Sequence, residues 1–155
     1  EYDALNLERL EAVAAMENVA SLLDPPGSTV SEAEWLSRIL RESGARFLLD
    51  LHNVYTNSIN FGYDAVDFLR SIPLDGVDTI HLAGGKWVGG RMLDDHLHDV
   101  PDPVYDLLRT VAQRAPRPLT VILERDGAYP DFGNLLGQID RAREAVAEGR
   151  RLAAA

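Results

Sequence analysis

Six acidic or histidine side chains of this sequence stand where they could hold metal ions, and four of them recur at one kind of address. Glu17, Asp50, His81 and Glu124 each sit at the end of a short apolar run, in VAAMEN, RFLLDLHN, VDTIHLAGG and LTVILERDG. An Asp-x-His pair, Asp94 and His96, follows the third run. The set combines carboxylates and imidazole, with an amide oxygen at Asn53, and the chain has no cysteine. Such a donor set suits iron, manganese or zinc better than a purely oxygen-liking magnesium or calcium site, and it excludes thiolate zinc. Four acids and two histidines are too many for one ion. Two or more ions sharing a bridging carboxylate would spread the repulsion between like charges.

Each residue also has a plainer explanation. An acid at a strand end often caps a helix, His81 could be a satisfied core histidine, and residues 94–99 (DDHLHD) could be a solvated loop. Asn53, Asn57 and Asn60 suit turns. Against this, Asp50 and Glu124 close the runs FLLD and VILE, where an unpaired charge is costly to desolvate. Recurrence at one structural address outweighs the separate explanations.

The elements that must position these groups follow from pattern. Residues 10–16 read as a strand leading to Glu17. DPPGST breaks structure, Ser31 and Glu34 form a capping box for a helix over 31–43, and Gly44 stops it. Residues 46–50 are a buried strand, and the polar stretch NVYTNSINFGYD is expected to be a long loop. Asp64 caps the short helix AVDFLRS, which Pro73 ends, and residues 77–81 form the next strand. A loop of about twenty residues follows, with four glycines at 84–90; loops of such length are usually functional or disordered. A helix over 102–114, a strand over 119–124 and a helix over 131–149 complete the chain, and RRLAAA is expected to fray. Strict alternation of strand and helix forces a parallel sheet with all strand ends on one edge. The ligand candidates are 33, 31 and 43 residues apart, each about one strand–helix unit. The expected class is α/β, as part of a barrel of alternating strands and helices whose site lies at the carboxyl ends of the strands.

The 155 residues fit one domain, with 46% apolar and 26% charged residues. A net charge of −10 argues against nucleic acid as a partner. No run suits a signal peptide or membrane span, and the lack of cysteine fits a reducing, cytoplasmic setting. The chain opens on Glu1 and a strand arrives early, whereas a whole barrel typically needs about 250 residues. The expectation is therefore the carboxyl-terminal half of a longer protein, with four β/α units.

MENVASLL, FLLDLHNVYTNSINFG, IHLAGG, the Asp-x-His loop running into DVPDPVYDLL, and LERDG occur in that order. From about residue 10 to 145 the chain thereby resembles the DUF692 (UPF0276) family. The resemblance implies a TIM barrel of the xylose-isomerase-like type, a cluster of two or three iron ions, and dioxygen as oxidant. It also implies modification of a ribosomally made precursor peptide, often at cysteine, with a partner protein that recognises the leader. By motif, Glu17 would bridge two irons, and Asp50, His81 and Glu124 would complete the central ion. Asn53, Asp94 and His96 would hold an outer one. His52 and His98 would be hydrogen-bond donors or proton carriers, and Asp126 would orient a ligand or the substrate. Two histidines that the family contributes from the first strands have no counterpart here. Another chain, a longer form of this chain, or self-association of two half-barrels would have to supply them.

Two other classes fit the residues: a metal-dependent sugar isomerase or endonuclease-like barrel without dioxygen chemistry, and a non-catalytic half-barrel retained for binding or assembly. Residues 84–90, with Lys86, Trp87 and Arg91, read either as a peptide-contacting flap or as a mobile connector.

Overall fold

The computed structural model describes residues 15–155. Its elements are β1 (Ala15–Glu17), α1 (Glu32–Ser43), β2 (Arg46–Asp50), α2 (Leu51–Phe61), α3 (Ala65–Ser71), a 3-10 turn (Leu74–Gly76), β3 (Val77–Leu82), β4 (Gly85–Val88), β5 (Arg91–Asp94), α4 (Asp102–Arg114), β6 (Thr120–Leu123) and α5 (Phe132–Ala153). The run expected over residues 10–16 lies partly outside the described residues; β1 occupies its end.

Strands β1, β2, β3 and β6 form one parallel sheet in chain order. Each crossover steps one strand along and never reverses, so the fold is α/β with a singly advancing parallel sheet, as the alternation predicts. The helices bury one face. Phe47 and Leu49 of β2, with Ile80 and Leu82 of β3, pack with Leu36, Leu40, Leu69, Val104, Leu108 and Val111. Fully burying side chains of this size contributes roughly 1.5–3 kcal/mol each.

Register decides what the other face carries. Phe47 pairs with Val77 but Leu48 pairs with Thr79, so a bulge at Asp78 resets the phase. His81 then falls opposite both Asp50 and Ile122, and Glu17 opposite Leu48. Side chains alternate along a strand. Glu17, Leu48, Asp50, Thr79, His81, Thr120 and Ile122 therefore project from the face away from the helices. Glu124 continues the ladder through its N–H to Leu82 O at 2.9 Å, and its side chain follows that of Ile122.

Two expectations fail. Residues 51–61 are a helix, not a long loop. Asp50 caps it, with Oδ1 accepting from Asn53 N at 2.6 Å. Its polar face misleads hydropathy because that face is buried: Asn53, Thr56, Asn57 and Ser58 lie against neighbouring chain. The segment after β3 is not a structureless loop but contains the antiparallel hairpin β4–β5. It turns at Gly89 and Gly90, with φ of 57° and 81°, which suits a two-residue turn of the primed type. At the far end, α5 runs on to Ala153 through most of the segment expected to fray. Among the described residues, no helix is long and apolar enough to cross a membrane.

Candidate metal centre

The four strand-end residues meet. One ligand atom each from Glu17, Asp50, His81 and Glu124 lies within 4.8 Å of the others. His81 stands between two acids, with Nδ1 3.0 Å from Glu17 Oε1 and 3.0 Å from Glu124 Oε2. Neither approach has hydrogen-bond geometry, so this buried nitrogen has no partner among the described residues. Asp50 is 0% exposed and its Oδ2 is also without a partner. Burial pushes the Asp50 carboxyl up to about 7, and the charges of Asp94 and Glu17 push the same way, against the Asn53 N–H and His96. A buried, crowded carboxylate of this kind is stable only with a proton or a cation beside it. Hard anionic oxygens, an unpartnered imidazole nitrogen and the absence of sulfur fit a transition metal such as iron.

A second group adjoins the first. His96 Nδ1 lies 3.3 Å from Asp126 Oδ2 and 3.6 Å from Glu124 Oε2, and it too lacks a hydrogen-bond partner. His96 adopts φ 55°, a left-handed conformation uncommon outside glycine. The Asp126 N–H donates to its carbonyl at 3.0 Å and ties the two loops together. Burial pulls His96 down, but the charges of Asp94 and Glu124 outweigh it and leave the imidazole above its ordinary value. Asp94 accepts from His96 Nε2 at 2.9 Å through Oδ2 and from His52 Nδ1 at 2.5 Å through Oδ1. Asn53 Oδ1 is buried without a partner, while its amide donates to Asn18 O at 2.9 Å.

Thus the structure gathers Glu17, Asp50, His81 and Glu124, places His96 and Asp126 next to Glu124, and sets Asp94, His52 and Asn53 beside them. His98 stands apart: about half exposed, it donates to Asp95 Oδ1 at 2.9 Å. Lys86 approaches Asp95 at 3.2 Å, and Arg91 donates to Leu22 O at 2.6 Å, so these flap cations are engaged within the chain while Trp87 is exposed.

Sequence reasoning missed the residues that hold the loops. Asn18, 2% exposed, donates to Asp50 O and accepts from Asp50 N, both at 2.9 Å, joining the ends of β1 and β2. On α2, Asn57 accepts from Ser21 N at 2.8 Å and donates to Val19 O at 3.0 Å. Asn60 donates to Met92 O at 2.8 Å and accepts from Met92 N at 2.9 Å. Asn53, Asn57 and Asn60 are thus loop clamps rather than turn formers. Their spacing of four and three was the available signal, since it places them on one helix face. Arg125 donates to Gly127 O at 2.8 Å and to Ala128 O at 2.6 Å, shaping the loop that carries Asp126. Nothing in the sequence marked it.

The family described as "RiPP precursor modification enzyme MbnB/TglH/ChrH" matches residues 6–147. The chain belongs to this family. A UPF0276 protein of Caulobacter vibrioides is 34% identical over 148 residues, covering 96% of this chain and 52% of that protein. One from Shewanella amazonensis is 36% identical over 143 residues, covering 92% and 51%. A longer UPF0276 protein of Streptomyces avermitilis is 36% identical over 132 residues, covering 85% and 27%. This MbnB/TglH/ChrH-family chain therefore spans about half the length, or less, of these relatives. The family's description names modification of precursor peptides, and the donor cluster lies within the matched residues.

Proposed function

We propose that this chain forms most of a two- or three-iron centre in an enzyme that uses dioxygen to modify a ribosomally made precursor peptide, with cysteine as the residue modified. The observation that carries this is the convergence, on one strand-end face, of Glu17, His81, Glu124 and a fully buried Asp50 whose Oδ2 lacks a hydrogen-bond partner. The family's description supplies the peptide. Glu17, Asp50, His81 and Glu124 would hold one ion, with Glu17 bridging to a second. Asn53, Asp94 and His96 would hold an outer one. Bound there, iron would supply one-electron redox chemistry and open positions for dioxygen and a substrate thiolate.

The chain's own residues do the rest. Asn18 holds the Asp50 backbone and the cap to Asn53 N holds its carboxylate before any ion arrives, so little ordering of that ligand remains at binding. Asp126, largely exposed, faces the substrate side and can orient a peptide group or take its proton. We read the chain as the carboxyl-terminal half of a TIM barrel. The outer edges of β1 and β6 are free among the described residues, and Ile122, 42% exposed, lies on the ligand-bearing face. That face would be the barrel interior once further strands, from a longer form of this chain, another polypeptide or a second copy, close it. A leader-recognising partner protein and a cytoplasmic, reducing setting accompany this reading.

The test is iron stoichiometry and Mössbauer spectroscopy on protein purified anaerobically, with peptide oxidation under dioxygen. Asp50→Asn, His81→Ala and Glu124→Gln should each lower iron content and abolish turnover. Retention of only zinc or magnesium, without dioxygen consumption, would favour an isomerase- or endonuclease-like barrel. Unchanged function in all three variants would favour an assembly module.

A further inference from the structure

His52 is the one fully buried imidazole among the described residues, and the centre as drawn above does not need it as a ligand. It lies in the first turn of α2, two positions after Asp50. An ionised carboxylate only accepts hydrogen bonds, so the 2.5 Å contact to Asp94 Oδ1 requires the hydrogen on His52 Nδ1. Nε2 has no partner among the described residues. The ring is wedged against the hairpin: a Cβ on Gly85 would come within 2.7 Å of His52 Cε1 and 2.0 Å of Leu93 O. Only glycine permits this approach. Eight positions along α2, Asn60 makes its two hydrogen bonds to Met92. The helix therefore grips β5 at two points, and His52 is the grip nearer the strand ends.

We propose that His52 is a positioning residue, which holds Asp94 by Oδ1 so that Oδ2 is presented with His96 and Asn53 to the outer ion. The outer site then exists only while the hairpin is docked on α2. This rests on the metal reading of the preceding section for the ion, but not for the latch. A proton carrier needs a path to substrate or solvent, whereas His52 is 0% exposed and its Nδ1 is committed to Asp94. A residue kept only to fill space would be less costly as leucine, which leaves no buried Nε2 unpaired.

The test compares the full chain with its His52→Leu and His52→Asn variants by anaerobic Fe(II) titration with metal analysis. Circular dichroism reports the fold, and nitrogen-15 spectra of the metal-free histidine side chains report the latch. His52→Leu should lower outer-site affinity by about 10–100-fold, the usual cost of losing a partner that orients a ligand, and leave the strand-end ion in place. His52→Asn, whose Nδ2 can take the place of Nδ1, should recover the loading. In the metal-free chain His52 should show the Nδ1–H form, and Asp94→Asn should shift its signal. Full loading of His52→Leu would overturn the proposal, as would a folded His52→Asn no better than His52→Leu. If His52→Leu does not fold, the asparagine variant decides. A wild-type chain that takes up no iron would sink the metal reading instead, and the Asp94→Asn shift would still accept or reject the latch.

Discussion

At the strand ends, Glu17, Asp50, His81 and Glu124 are placed by the parallel ladder itself. Backbone register puts them side by side, and only the bulge at Asp78 and the Asn18 bridge refine it. In the loop region, Asp94 and His96 sit at and beyond the end of a two-stranded hairpin, which alone is marginally stable in water. Its position depends on contacts with other segments: His52 and Asn60 from α2, and the hairpin's own Arg91 reaching Leu22 O. The contrast teaches that one side of the candidate centre is built into the sheet ladder, whereas the other rests on a few side-chain contacts to a separate hairpin.

The largest expected effect tests the sheet side. Asp50→Asn keeps a good helix cap but removes the buried charge. The metal-free chain should be no less stable in a urea titration, and metal affinity should fall by more than the roughly 10–100-fold that losing an orienting partner costs. A loss of stability without a loss of metal would mean that the charge is compensated inside the protein. Next, Gly85→Ala should undock the hairpin, because its methyl group would meet Leu93 O and the His52 ring. Overpacking of this kind costs about 1–3 kcal/mol. Limited proteolysis should cut near residues 84–94 while hydrogen exchange in β2 and β3 stays slow.

Asn60→Ala removes both bonds to Met92 and should cost the hairpin about 1–3 kcal/mol through unpaired backbone groups. Faster amide exchange confined to β4 and β5 would confirm it; equal acceleration in β3 would erase the contrast between the two regions. The smallest effect concerns Glu32, whose carboxyl burial raises above its ordinary value of 4.5, against the hydrogen bonds from Asn57. A raised folded-state value means that the ionised form opposes folding at neutral pH, and that this penalty fades as pH falls through the folded value. Glu32→Gln should therefore be slightly more stable than wild type at pH 7, by up to about 0.5 kcal/mol. The two melting curves should converge below the ordinary value. A gap that widens toward acid would reverse the sign and reject the assignment.

Much of the frame was legible in order alone. The apolar runs at Asp50, His81 and Glu124 are strands, β2 ending at Asp50, β3 one residue beyond His81 and β6 one residue before Glu124, and Ser31 caps α1 as its spacing with Glu34 predicts, with Ser31 Oγ accepting from Glu34 N at 3.2 Å. The misreadings share a cause. Hydropathy assumes that polar residues face water, but on α2 the polar face is buried against loops, so a helix looked like a loop. The hairpin was hidden in a glycine-rich stretch, although the adjacent pair Gly89 and Gly90 was a turn signal.

Local sequence, then, determined the α/β alternation, the strand termini and the chemical types of the donors, because strand period, capping and glycine termination act over a few residues. The tertiary structure alone decided which donors meet. Whether His81 faces Asp50 depends on a one-residue bulge, and whether Asp94 reaches the centre depends on His52, which lies 42 residues earlier. Such placements are set by register and by hydrogen bonds between distant segments, whose energies exist only once the chain has folded.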